Sequence, residues 1–258
     1  MSWSPEQYLK FAQPRLRPAI DLLDRVVLEQ PKEICDLGCG AGNVTAILAA
    51  RWPGARISGV DTSAAMLARA AQVLPQATWQ QQSLAEWHAP SPLDLIYSNA
   101  ALHWLPDHAR LLPAILTSLR PGGVLAVQMP RNFAAPSHTL ITEVAREAPW
   151  RDRLEPLLRT PPVATQAPAF YYDVLAPLAD SIDIWECEYL QILHGPDPVK
   201  EWTKGTALIP YLQRLDAEAA NSFELEYARR LRDAYPSRAD GVTLFPFRRL
   251  FIVMRKAG

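Results

Sequence analysis

Two carboxylates and three glycines are the residues best suited to chemistry in this chain. Asp36 stands two positions before Gly38, and Gly38, Gly40 and Gly42 alternate through Gly38-Cys39-Gly40-Ala41-Gly42-Asn43. Glycines so spaced leave the backbone bare where a ligand must approach closely. A helix starting there also offers free amide N–H groups. Asp36 sets a carboxylate just before the turn, where it can meet a cation. Asp61 follows at close to the ~20 residues expected of a carboxylate that accepts hydrogen bonds from ribose hydroxyls. A dinucleotide fingerprint requires Gly-x-Gly-x-x-Gly. Here Asn43 occupies the sixth position, which disfavours a nicotinamide dehydrogenase.

These residues need a scaffold that brings strand ends together. Residues 33–37 form a buried strand, and 44–50 a helix with Val44, Ile47 and Leu48 on one face. Residues 56–61 form the second strand, ending on Asp61. Thr62 or Ser63 caps a helix holding Met66, Leu67, Ala70 and Ala71. Residues 78–82 form a third strand, 93–98 a fourth and 124–129 a fifth, with Arg120-Pro121-Gly122-Gly123 as a turn before the last. Asp107 caps a helix carrying Leu111, Leu112, Ile115, Leu116 and Leu119. Strands alternating with helices imply an α/β fold, a doubly wound and mainly parallel sheet. Ligands of such sheets sit beyond the carboxyl ends of the strands. The glycine turn, Asp61, Ser83, Asn99 and Gln128 all fall there.

The flanks are less regular. Residues 5–25 read as two helical pieces broken at Pro14 and Pro18, with Gln13, Arg15 and Arg17 at the break, covering the core. The 24 prolines crowd the second half, and 131–180 reads as irregular. Residues 182–193 and 250–254 read as strands that add an antiparallel edge. Residues 197–235 read as a helical cap broken around Gly205 and Pro210. A single domain over 1–258 is expected.

Composition narrows the class. With 258 residues, 49% hydrophobic and 21% charged, the chain is ordinary for a globular protein. A net charge of −1 gives no reason to expect nucleic acid or an anionic membrane as partner. No secretory signal or membrane span is read, and Cys35, Cys39 and Cys187 make no disulfide framework, so a reducing cytoplasm and a monomer are expected. No metal site is expected, and Cys39 reads as a small residue fitting the turn.

Asp36-Leu37-Gly38-Cys39-Gly40-x-Gly42 resembles the first motif of class I S-adenosylmethionine-dependent methyltransferases. Trp3-x-Pro5-x-x-Tyr8-Leu9-x-Phe11-Ala12, Trp104-Leu105-Pro106-Asp107-His108, Gln128-Met129-Pro130, Ala169-Phe170-Tyr171-Tyr172-Asp173 and Arg249-Leu250-Phe251-Ile252-Val253 extend the likeness over nearly the whole chain. They resemble the trans-aconitate 2-methyltransferase family. The resemblance implies S-adenosyl-L-methionine as cofactor, held by Arg15, Asp36, Gly38, Cys39, Gly40, Asp61, Thr62, Met66, Ser83, Leu84 and Asn99. Ser83 stands where an acid is usual, and its hydroxyl is the weaker acceptor. His103 stands in place of the family's glutamine.

The implied reaction moves a methyl group from sulfonium to a carboxylate oxygen of a tricarboxylic acid. A carboxylic acid is ionised at neutral pH, so no general base and no catalytic acid–base pair is expected. Alignment and an apolar surround are what the reaction requires. Cations and neutral donors should hold the two carboxylates that do not react. Candidates are His103, Trp104, Arg131, Tyr171, Tyr172, Lys204 and Arg248, with Arg249, Trp202 and Tyr211 beside them. Arg248 and Arg249 are adjacent in a strand, so at most one faces the site. The competing readings are a class I methyltransferase acting on another small molecule, and a non-catalytic S-adenosylmethionine-binding protein.

Overall fold

A computed structural model describes residues 12–159 and 165–258, with side chains over 16–158 and 165–258. The described chain groups into two compact units. The sheet unit takes in 16–130, 165–187 and 249–258, and the helical unit the described residues of 1–15, 131–164 and 188–248.

The strands are β1 (Glu33–Leu37), β2 (Arg56–Asp61), β3 (Thr78–Gln81), β4 (Leu93–Asn99), β5 (Leu119–Pro130), β6 (Ala179–Leu193) and β7 (Thr243–Lys256). Their order in the sheet is β3-β2-β1-β4-β5-β7-β6. β1 to β5 pair in parallel, and β7 runs antiparallel to β5. The order reverses between β1 and β4, which is where a doubly wound sheet opens a crevice for a ligand. Leu37, Val60, Ile96, Leu125, Val127 and Ile252 are buried between this sheet and its helices. Apolar runs such as Val124–Val127 in β5 and Leu250–Met254 in β7 suit a sheet covered on both faces.

The first helix, α1 (Ala12–Leu23), runs unbroken through Pro14 and Pro18, where a break was expected. Pro14 falls in the first turn, whose amides need no partner. Pro18 is buried. Residues 5–11 of the expected cover lie outside the described residues. The helices α2 (Asn43–Arg51), α3 (Ala64–Val73) and α4 (His108–Leu116) follow β1, β2 and β4. The expected turn at Pro121-Gly122-Gly123 is instead part of β5, with a register irregularity opposite Leu93 and Leu95.

The stretch 131–180, expected to be irregular, holds α5 (Pro136–Ala145), α6 (Arg151–Arg159) and α7 (Pro168–Leu175). α8 (Pro198–Lys204), α9 (Ile209–Leu212) and α10 (Ala217–Ala234) follow β6. Proline begins α5, α7 and α8, a position whose missing N–H costs nothing. The helical unit has its own core, in which Trp150, Phe223, Tyr227, Phe245 and Phe247 pack together. Among the described residues, no helix is long and apolar enough to cross a membrane.

Candidate active site

The glycine turn follows β1 and is tied to β2. Gly38 and Cys39 both donate their amides to the Val60 carbonyl, at 2.8 and 3.1 Å. Gly38 has φ +77°, and a Cβ there would lie 2.1 Å from the Ala101 Cβ. Only glycine lets the loop after β4 close against the turn. Among the described residues, nothing lies within 4 Å of a Cβ added at Gly40, whose φ is +53°. That side of the turn leaves room for a ligand.

Asp61 braces the turn. Its Oδ2 accepts the Gly40 N–H at 3.0 Å, and its Oδ1 accepts the Ser63 N–H at 2.8 Å. Each oxygen has a second lone pair left for a ribose hydroxyl. Ser63, not Thr62, caps α3, accepting the Met66 N–H at 3.3 Å. Thr62 is exposed and Met66 buried. Ser83 is exposed, and its Oγ accepts the Ala85 N–H at 3.3 Å, while Leu84 is buried. Arg15 lies outside the described residues.

Asp36 is 2% exposed, and its Oδ2 accepts a hydrogen bond from Thr45 Oγ1 at 2.7 Å. Burial pushes its carboxyl up to about 7; the Thr45 bond opposes that, and the Asp61 charge adds to it. An acid with its folded pKa above its unfolded value holds more protons folded than unfolded. Its contribution to stability is therefore full below the unfolded pKa of ~4 and is lost as pH rises through about 7. A cationic ligand favours the ionised acid. S-adenosylhomocysteine, with its ammonium, should bind more tightly as pH rises from about 5.5 to 7.5, releasing a proton at the lower end. Asp36→Asn should remove both effects. Calorimetry in two buffers of different ionisation heat checks this, and a pH-independent affinity of the unaltered chain would contradict it.

Cys39 is also buried, which raises its thiol and leaves it a filler of the turn rather than a nucleophile.

Asn99 ends β4. The next residue, Ala100, holds φ +54°, a conformation that costs a side-chain-bearing residue ~1–2 kcal/mol. Its N–H donates to the Gln128 carbonyl at 2.9 Å, fixing the strained turn. Asn99 Oδ1 is buried and has no hydrogen-bond partner among the described residues. An orphaned acceptor beside a buried acid and an open glycine turn fits a ligand that brings N–H groups and positive charge.

Beyond Ala100, a short 3-10 turn carries His103, 6% exposed, and Trp104, 55% exposed. Their ring centroids lie 4.7 Å apart. Tyr171 is fully buried, and its hydroxyl donates to His108 Nδ1 at 2.7 Å and accepts the Gln166 N–H at 3.0 Å. His108 Nε2 must carry the proton, because its partner at 3.0 Å is the Leu102 carbonyl. Tyr171 thus braces the start of α4, and Tyr172, 55% exposed, is the outward member of the pair. Tyr171→Phe should lower stability by about 1–3 kcal/mol, through an unsatisfied His108 ring nitrogen and Gln166 amide. Affinity for S-adenosylhomocysteine should stay unchanged. Urea unfolding with parallel calorimetry tests that separation; a loss of cofactor affinity without a loss of stability would contradict it.

In the helical unit, Lys204 Nζ is 2.7 Å from Glu224 Oε2, so its charge is already met. Arg248 is exposed, 3.7 Å from Glu188 Oε2. Arg131 is half-buried, its N–H donating to the Arg248 carbonyl at 2.9 Å. Trp202 and Tyr211 belong to the core of the helical unit. In the sheet unit, Arg249 is the buried arginine of the pair, 4% exposed, with Nη1 3.4 Å from Gln128 Oε1. The alternation of β7 signalled that one of the two faces inward. It gave no sign of which, because Phe247 and Leu250 are both apolar.

The strand order, the switch point and the acid-braced glycine turn define a class I methyltransferase. A family model described as "Methyltransferase domain" matches residues 8–161. The chain also aligns end to end with curated relatives, and belongs to the trans-aconitate 2-methyltransferase family. It is 48% identical to the trans-aconitate 2-methyltransferase of Azoarcus sp. (strain BH72), covering 98% of each chain. It is 48% identical to the enzyme of the same name from Streptomyces avermitilis, covering 99% of this chain and 97% of that one. Among solved structures, the YcgJ protein of Bacillus subtilis shares the fold with TM-score 0.58 at 16% identity, covering 94% of this chain and 99% of that one.

Proposed function

We propose that the chain transfers the methyl group of S-adenosylmethionine to a carboxylate oxygen of trans-aconitate, giving a monomethyl ester. The observation that carries this reading is the end-to-end identity, at 48%, with relatives that bear that activity in their names. The cofactor, when bound, supplies an electrophilic methyl on a sulfonium.

The residues of the chain then bind, orient and exclude water. Asp36 and Asn99 Oδ1 receive the ammonium end of the cofactor. Gly38, Cys39 and Gly40 let it approach the backbone, and Asp61 accepts its ribose hydroxyls. Thr62 and Met66 flank the nucleoside, with the Ser83 hydroxyl and the Leu84 amide on the purine. Arg15 is assigned to the cofactor from the family resemblance. His103 and Trp104 follow the strained turn after Asn99 and are assigned to the acid, together with Tyr172. Arg131, Lys204 and Arg248 are candidates by their charge and by the family resemblance, with Lys204 already paired to Glu224 and Arg248 near Glu188. Tyr171 acts through His108 as a positioning residue.

No base is called for, because the acceptor is already an anion. A net charge of −1 gives no global electrostatic reason to expect nucleic acid as the partner. The whole chain is proposed to work as one catalytic domain, since its relatives have the same extent. Incubation with methyl-labelled cofactor and a panel of organic acids tests the assignment. Label should enter trans-aconitate in preference to monocarboxylic acids, phenols and amines. Preferred labelling of a phenol or an amine would overturn it.

A further inference from the structure

The face of the sheet that carries Asp36 also carries a buried cation at its far side. Register places Asp36 opposite Tyr97, Asn99 opposite Gln128, Gln128 opposite Phe251 and Pro130 opposite Arg249. Paired residues share a face, and residues two apart in a strand share it too. Asp36, Asn99, Gln128 and Arg249 therefore step across neighbouring strands β1, β4, β5 and β7 on one face, at the carboxyl ends of the parallel strands. The row runs from an acid, through two amides, to a guanidinium.

The two amides present opposite polarity. Asn99 has a buried acceptor, Oδ1, with no hydrogen-bond partner among the described residues. Gln128 is fully buried, and its Oε1 faces Arg249 Nη1. The reverse orientation would set two donors against each other, so Arg249 fixes the amide. Gln128 Nε2 is then turned away as a donor, and it has no hydrogen-bond partner among the described residues. A buried donor left so costs free energy until an acceptor arrives. The acid end suits the cationic cofactor, and the far end suits an anion.

We propose that Gln128 Nε2 and the Arg249 guanidinium form the subsite for a carboxylate of the acceptor that does not receive the methyl group. The assignment rests on the acceptor being a polycarboxylic acid, as proposed above. A guanidinium and an amide N–H give two parallel donors to the two oxygens of a carboxylate. The same clamp on the reacting carboxylate would withdraw electron density from the attacking oxygen, so the clamped group is one of the other two. Burial excludes the water that would otherwise compete.

The test uses Gln128→Met, which keeps the volume and removes the donors, and Arg249→Gln, which removes the charge. Each is assayed with trans-aconitate and with analogues in which one carboxylate is replaced by a carboxamide. Both substitutions should raise the KM for trans-aconitate roughly 10- to 100-fold, the scale of a lost charge-assisted hydrogen bond. Affinity for S-adenosylhomocysteine should remain within about twofold. The amide analogue of the clamped carboxylate should be poor for the unaltered enzyme. It should match trans-aconitate in the Arg249→Gln variant, a loss of discrimination that a general packing defect does not produce. Should Arg249→Gln fail to fold, the Gln128→Met pair of measurements decides alone. Unchanged KM in folded variants, with the unaltered enzyme active on trans-aconitate, overturns the subsite only. An unaltered enzyme that leaves trans-aconitate unmethylated overturns the acceptor reading, and the subsite with it.

Discussion

Gly38→Ala should destabilise the protein by about 2–5 kcal/mol, and Gly40→Ala by about 1–2 kcal/mol. At Gly38 the backbone holds φ +77° and an added Cβ falls 2.1 Å from the Ala101 Cβ. The left-handed conformation alone costs ~1–2 kcal/mol. Overpacking adds ~1–3 kcal/mol, since Ala101 belongs to the loop after β4 and has no long side chain to swing aside. At Gly40, φ is +53° and the added Cβ meets none of the described residues, so the left-handed conformation alone should cost its alanine variant ~1–2 kcal/mol. That variant should also bind S-adenosylhomocysteine more weakly, because the methyl occupies the space a ligand enters. Urea unfolding and calorimetry on the two variants give the contrast directly. Equal stability of Gly38→Ala and the unaltered chain would show that the turn and the loop do not close on each other as described.

Asp61→Ala should weaken cofactor binding at least roughly 10- to 100-fold. The carboxylate accepts the Gly40 and Ser63 amides as well as any ribose hydroxyl, so its loss frees the turn and removes acceptors at once. A hydrogen bond to a charged group contributes ~1.5–3 kcal/mol, and ~1.4 kcal/mol is a factor of ten. Asp61→Asn should fall between the two. It keeps one acceptor oxygen, but its NH2 faces a backbone N–H that needs an acceptor. Calorimetry with S-adenosylhomocysteine reads the series. Unchanged affinity in Asp61→Ala would remove Asp61 from the site.

Much of the proposed cofactor side was legible because each feature there is local. A glycine turn, an acid two residues ahead of it and a second acid at the next strand end are set by short stretches of sequence. Strands β1, β2 and β4 read within a residue or so of where they lie, since each is a short run bounded by proline, glycine or small polar turn residues. The substrate side was less legible because its determinants are non-local. Lys204 meets Glu224 twenty residues on, and Tyr171 meets His108 63 residues earlier. Tyr171 and Tyr172 are adjacent on an eight-residue helix, too short for periodicity to say which turns inward. Pro136 and Pro168 suggested irregular chain, yet each begins a helix, and the same residue type serves as breaker or starter according to position. Arg249 shows the limit most clearly. Its strand alternation was readable, but its burial depends on Gln128, 121 residues earlier, standing on the same face.

The central claim is that a carboxylate of trans-aconitate accepts the methyl. Incubating the enzyme with carbon-labelled methyl cofactor and trans-aconitate, and then following the label by NMR and mass spectrometry, addresses it most directly. The account predicts one methyl per acid, in an ester whose label is released as methanol by mild base, with S-adenosylhomocysteine formed in equal amount. Label retained on carbon or nitrogen after base treatment, or cofactor bound without any transfer to the acid, would contradict it.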